Sequence, residues 1–194
     1  MLFSPTKTSL TILAFLWSRI HTAGAADLRF YNGANCGGAI ADICGAWPEG
    51  SCCGSLTQLW GSVIVGNLGG CGLADTYGNA FQNGDPCAVN LGISLGCMSV
   101  STSSISGAYW YSRSVCDDSD SLKIRDYTPG LPALNTTECR EPDLIGYQEN
   151  GKSYQLYKNG TKYSALMASE VAKDEGAMGQ FIKEHAERII EDDF

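Results

Sequence analysis

The sequence predicts a mainly β chain: a disulfide-stabilised antiparallel sandwich, then a three-stranded meander, then a C-terminal amphipathic helix. Three observations carry that prediction. Short runs alternate apolar and polar residues with a period of two, the signature of strands with two unlike faces. Nine cysteines lie between Cys36 and Cys139, four of them in the nineteen residues CGGAIADICGAWPEGSCCG. Two Asn-Gly pairs, at 150–151 and 159–160, separate such runs late in the chain, and Asn-Gly favours the turn that closes a two-residue hairpin.

The chain opens with MLFSPTKTSLTILAFLWSRIHTAGAADL. A single early charge, Lys7, precedes an apolar run from Leu10 to Trp17, and small residues follow at Ala23–Ala26. This pattern predicts a secretory signal peptide cut just before or after Ala26. The run is too short to span a bilayer, which takes about 20 apolar residues. Loss of the leader's two bases, Lys7 and Arg19, takes the net charge from −8 to −10. So acidic a chain does not suit binding to nucleic acid or anionic lipid through charge. Two sequons, Asn135-Thr136-Thr137 and Asn159-Gly160-Thr161, are candidate glycosylation sites in a secreted chain.

The expected strands follow in order. Asp27–Tyr31 and Leu59–Val65 read as strands, with a loop-rich cysteine cluster between them. Leu91, Ile93, Leu95 and Cys97 alternate with Gly92, Ser94, Gly96 and Met98. Gly107–Arg113 sends Tyr109 and Tyr111 to one side and Trp110 to the other. Leu122 and Ile124 alternate with Lys123 and Arg125. The meander is expected at 144–149, 152–158 and 161–166, which places Asn159 on a hairpin tip. In the tail, Met178, Phe181, Ile182, Ala186, Ile189 and Ile190 recur at helical spacing, and Glu184, Glu187, Arg188 and Glu191 take the other face. The expected organisation is a signal peptide at 1–26, a cysteine-rich β domain at 27–116, a meander extension at 117–166 and an acidic helical tail at 167–194.

Disulfides are the expected use of Cys36, Cys44, Cys52, Cys53, Cys71, Cys87, Cys97, Cys116 and Cys139, because secretion leads to an oxidising compartment. A zinc site fits poorly: there is no C-x-x-C pair, and His185 is the sole histidine after the leader. Thioredoxin-type chemistry also wants C-x-x-C. Cys52 and Cys53, being adjacent, are expected to bond to two different strands. An odd count leaves one thiol over; Cys139 and Cys71 are its candidates, and a disulfide-linked dimer is one use for it.

The run DLRFYNGANCGGAIADICGAWPEGSCCG, followed by SVIVGNL, LADTYGNAFQNGDPC and LGCMSVSTSSISGAYWY, resembles small secreted cysteine-rich proteins of filamentous fungi with a βγ-crystallin or killer-toxin-like pattern. The resemblance covers residues 27–113. It implies a β-sandwich and, for some members, an effector role. βγ-crystallins often bind calcium through two Asp/Asn residues, two free positions, then Ser/Thr-Ser. This chain offers Asp117-Asp118-Ser119-Asp120-Ser121-Leu122, which ends in Leu rather than Ser. Asp117, Asp118 and Asp120 are therefore an imperfect calcium candidate beside the plainer reading of a solvated acidic loop. No other cofactor is expected.

Catalytic options are few. With His185 in the tail, a Ser-His-Asp triad is not expected. A glycosidase needs only two carboxylates, and Asp42, Glu49, Asp75 and Asp85 lie in the glycine-rich half. Sugar binding would use exposed aromatic faces. Trp47, in GAWPEG, is the one expected to be exposed; Tyr109 and Tyr111 are further candidates, whereas Trp60 and Trp110 suit a core. The first expectation is a secreted, non-enzymatic extracellular protein of effector or toxin-like type, with an unnamed extracellular protein or polysaccharide as partner. A cell-wall carbohydrate binder is the alternative, and a small carboxylate-based glycosidase the second alternative.

Overall fold

The computed structural model describes residues 25–66, 68, 73–116, 122–124 and 135–191. Cys71, Asp117, Asp118 and Asp120 lie outside them, as does the leader before residue 25. The protein is mainly β, with two large sheets, disulfides and helix near the C-terminus.

The first sheet has seven strands. In it β1 (Ala25–Tyr31) lies between β2 (Ile40–Pro48), the middle strand, and β4 (Ser62–Gly66). The short β7 (Met98–Ser99) closes one edge against β4. The second sheet contains β3 (Ser51–Gly54), β8 (Gly107–Ser112), β5 (Ala74–Gln82) and β6 (Asp85–Leu95) in that spatial order. A fifth strand, β11 (Asn135–Arg140), lies on the outer edge beside β3. That pairing is parallel, so the sandwich is not wholly antiparallel as expected. β9 (Ser114–Cys116) and β10 (Leu122–Ile124) form a separate ribbon.

The inner faces meet in one core. Leu28, Phe30, Cys44, Val63 and Met98 come from the first sheet; Cys53, Ala108 and Trp110 come from the second. Phe30 and Trp60 pack with ring centroids 4.4 Å apart. The cysteine cluster expected to be loop-rich is instead largely strand, because β2 and β3 run through it. The turn between β5 and β6 is Asn83-Gly84, with φ of +52° and +86°. Both values suit the mirror-image turn that matches strand twist.

The period-two run at 91–95 is strand, as expected, but its apolar face points outward: Leu91, Ile93 and Leu95 are exposed. A Cβ on Gly92 would meet the Met98 side chain, so the glycine side of β6 faces the core.

The meander exists, with one member replaced. β12 (Leu144–Glu149) and β13 (Lys152–Tyr157) pair through Asn150-Gly151, whose φ values are +52° and +70°. The third run, 161–166, is not a strand. It belongs to helix α1 (Thr161–Ala168), and Gly160 stands at its N-cap with φ −83°. Asn159 is therefore an exposed residue at a helix start rather than a hairpin tip. The third strand is β14 (Arg188–Glu191), paired with β13. It takes Ile189 and Ile190 out of the expected helix, which is α2 (Glu175–His185), preceded by a 3-10 turn at Glu170–Lys173. Packing explains these exchanges. Leu166 of α1 and Ile182 of α2 are fully buried against Ile145 and Leu156. The meander itself is no separate layer, since β12 pairs with β2 and extends the first sheet.

Lys183 of α2 forms an ion pair with Glu149, to which Tyr147 also donates at 3.3 Å. The ammonium beside it holds the Glu149 carboxyl below its ordinary range, and the carboxylate raises the Lys183 ammonium. A depressed carboxyl contributes stability above its unfolded pKa, about 4.3, and loses it as pH falls through the folded value. A raised lysine contributes below its unfolded pKa, about 10.4, and loses it at higher pH. The pair therefore fastens α2 across the neutral range. Amide exchange in α2, corrected for intrinsic rates, is expected to accelerate below about pH 4; Glu149→Gln removes that acid dependence, and an unchanged pH profile in the variant would contradict it. Truncation of buried Ile182 to Ala is expected to cost about 2–5 kcal/mol in urea unfolding. A cost under about 0.5 kcal/mol, the size of a surface effect, would show that the helical region is not part of the core.

Candidate functional site

Of the four carboxylates singled out in the sequence, Asp42 has the richest surroundings. It lies near the start of β2, opposite Phe30 on β1 and Ile145 on β12. Directly opposed residues share a face of a sheet, so Asp42 points the same way as both. Phe30 belongs to the sandwich core and Ile145 to the helix-covered core. Asp42 thus stands at the seam between the two.

Three donors converge on it. Trp60 Nε1 donates to Oδ2 at 2.9 Å, and Gln58 Nε2 donates to the same oxygen at 2.6 Å. Lys158 Nζ pairs with Oδ1 at 2.5 Å. Trp60 is fully buried and the Asp42 side chain is 14% exposed. A cleft of about 210 Å³ opens at this seam, lined among others by Phe30, Asp42, Gln58, Lys158, Tyr163 and Met178. Its floor is polar at Asp42 and Lys158, and its helical wall is apolar.

The other three carboxylates serve different strands. Glu49 Oε1 accepts from the Ser112 amide at 2.9 Å. Asp75 Oδ2 pairs with Arg113 Nε at 2.9 Å. Asp85 Oδ1 accepts from the Cys87 amide at 2.8 Å. Each supports the backbone or a neighbouring side chain. His185, at the end of α2, stacks on Phe181 with centroids 4.2 Å apart.

Residues 27–143 match the family model ARB_05566_N, an N-terminal domain, which is more than half of the chain. The chain belongs to the ARB_05566_N family. No curated protein and no solved structure matches it. The ARB_05566_N domain ends at Asp143, immediately before β12, and so reaches beyond residue 116. Asp42, Gln58 and Trp60 belong to the ARB_05566_N domain, whereas Lys158, Tyr163 and Met178 follow it. The Asp42–Lys158 pair therefore joins the ARB_05566_N domain to what comes after.

The aromatic candidates are mostly interior. Trp47, expected to be exposed, is buried: its Nε1 donates to Ser51 O at 2.9 Å, and its own carbonyl accepts from Trp110 Nε1 at 3.1 Å. The Pro48-Glu49-Gly50 turn folds back on the sheet and carries the indole inward. Tyr109 is buried and Tyr111 half-buried, each packed against Tyr77. Trp60 and Trp110 are core residues, as expected.

The cysteines divide by strand. Cys36 bonds to Cys97 and Cys44 to Cys53. Cys52 reaches both Cys87 and Cys139, with Cα separations of 6.2 and 4.8 Å. The adjacent pair does bond to different strands. Cys52, Cys87 and Cys139 are also the one group of metal-ligating type that converges among the described residues, with sulfurs within 4.8 Å of one another. Asn135 lies in β11.

Lys158 and Gln58 were not singled out in the sequence. A lysine after a meander strand and a glutamine in a loop carry no distinguishing local signal. If Asp42 is a structural joint, Asp42→Ala leaves the Trp60 indole N–H buried without its acceptor. The expected cost is about 1–3 kcal/mol in urea unfolding. An unchanged midpoint would free Asp42 for another role.

Proposed function

We propose that this chain is a secreted, disulfide-bonded protein that acts outside the cell by binding a protein partner rather than by catalysis, in the manner of an effector or toxin-like molecule. The observation that carries the reading is the engagement of Asp42, Glu49, Asp75 and Asp85, each in a separate structural contact. A glycosidase needs two carboxylates free to address one bond. Secretion is supported by the leader pattern, by disulfides on several strands, and by exposed Asn159 within a sequon. Among the described residues no helix is long and apolar enough to cross a membrane. Wall-polysaccharide binding is the lesser reading, since Trp47 and Tyr109 are buried and offer no open stacking face.

The test uses protein secreted by a eukaryotic host. Its deglycosylated mass is expected to fit a chain starting at Ala26 or Asp27; a retained leader would contradict secretion. With insoluble chitin, β-glucan and cellulose, neither depletion of protein from the supernatant nor release of reducing ends is expected. Saturable depletion by one polymer would replace this reading with wall binding. Reducing ends lost in Asp42→Asn would replace it with hydrolysis.

A further inference from the structure

The three sulfurs of Cys52, Cys87 and Cys139 carry an inference independent of what the protein binds. Cys52 lies on β3, Cys87 near the start of β6 and Cys139 on β11. Every cysteine whose side chain is described has a bonding partner beside it. Yet Cys52 is the partner of both others, and a disulfide sulfur holds one S–S bond. Whichever of the two bonds Cys52, the other sulfur lies beside that disulfide, since Cys87 Sγ and Cys139 Sγ are 3.8 Å apart. The chain's odd count of nine leaves one thiol over in a monomer, and three sulfurs sharing one bond give it a place.

The local sequence prepares this meeting. Cys52 projects from the face of β3 opposite to Cys53, so it leaves the sandwich core and joins Tyr77 and Tyr109. Gly107 faces the Cys87 sulfur; a Cβ there would lie 2.8 Å from it. Glycine at 107 is what admits that sulfur against the sheet. Asp85 holds the Cys87 amide and fixes the strand start.

We propose that Cys52, Cys87 and Cys139 form an internal thiol–disulfide exchange site, in which Cys52 alternates between its two partners. The Cys139 thiolate attacks Cys52 Sγ; the Cys52–Cys139 bond forms and the Cys52–Cys87 bond breaks. Cys87 leaves as thiolate and takes up the proton that Cys139 gave to solvent. One disulfide and one thiol stand on each side, so no oxidant or reductant is consumed. The two forms differ in where the thiol sits. Cys87 is fully buried, whereas Cys139 is half-buried on the edge strand. In the Cys52–Cys139 form β11 is covalently tied to β3 and the thiol is enclosed. In the Cys52–Cys87 form β11 keeps only its non-covalent pairing, and an accessible thiol stands at the sheet edge.

The experiment is a disulfide map of the full secreted protein. Exchange is stopped with acid, the thiol is blocked with N-ethylmaleimide, and the peptides bearing Cys52 and Cys53 are sequenced by tandem mass spectrometry. Both Cys52–Cys87 and Cys52–Cys139 links are expected, with the label on Cys139 in the first and Cys87 in the second. Prolonged labelling at neutral pH is expected to drain the population through accessible Cys139, with loss of the Cys52–Cys139 peptide. Cys139→Ser should retain only the first link and Cys87→Ser only the second. The wild-type map decides the matter even if a variant fails to fold. A single Cys52 link, with the third cysteine bonded to Cys71 or Cys116, would overturn the proposal. So would two links whose ratio stays fixed during neutral labelling.

Discussion

Two adjacent cysteines on a four-residue strand set the frame for the rest of the molecule. Successive side chains of a strand point to opposite faces, so Cys52 and Cys53 reach in opposite directions from β3. Cys53 turns into the sandwich and bonds Cys44 on β2, which joins the two sheets through their common core. Cys52 turns outward to β6 and β11. One short strand thereby connects the two sheets and reaches, through the single sulfur of Cys52, one or the other outer strand of its own sheet. Trp47 strengthens the same junction, since its indole reaches β3 and its carbonyl receives the indole of β8. A glycine-rich chain loses much backbone freedom on folding, and cross-links that restrict the unfolded chain offset part of that loss.

The second constraint is the seam. The first sheet is shared: its β1, β2 and β4 portion packs on the second sheet, while β12 and β13 pack under α1 and α2. Asp42 stands where the two cores meet and is satisfied from both sides, by Trp60 and Gln58 on one and Lys158 on the other. A carboxylate so engaged suits a joint better than an acid or base. The cleft beside Asp42 is thus a property of how the ARB_05566_N domain meets the region after it.

Much of the fold was legible where the signal was local. Asn150-Gly151 formed the expected turn because both residues take positive φ between two alternating runs. Asn159-Gly160 did not, because Leu166 gains more by burying as a helix against Ile145 and Leu156 than as an edge strand. Helical spacing continued through Ile189 and Ile190, yet four residues there complete the sheet beside β13. Alternation at 91–95 marked a strand but could not say which face is inward; Met98, packed against Gly92, decides that. The opposite directions of Cys52 and Cys53 follow from strand geometry alone. Their partners do not, because pairing depends on which strands the topology brings together. Asp42 and Lys158 were illegible as a pair for the same reason.

The bond from β3 to β2 fastens the two sheets. The most direct measurement is equilibrium urea unfolding of the double variant Cys44→Ala/Cys53→Ala beside the wild type, both oxidised. One cooperative transition is expected, weakened by about 2–4 kcal/mol. An unchanged midpoint would contradict it and would mean that core packing alone holds the sheets together.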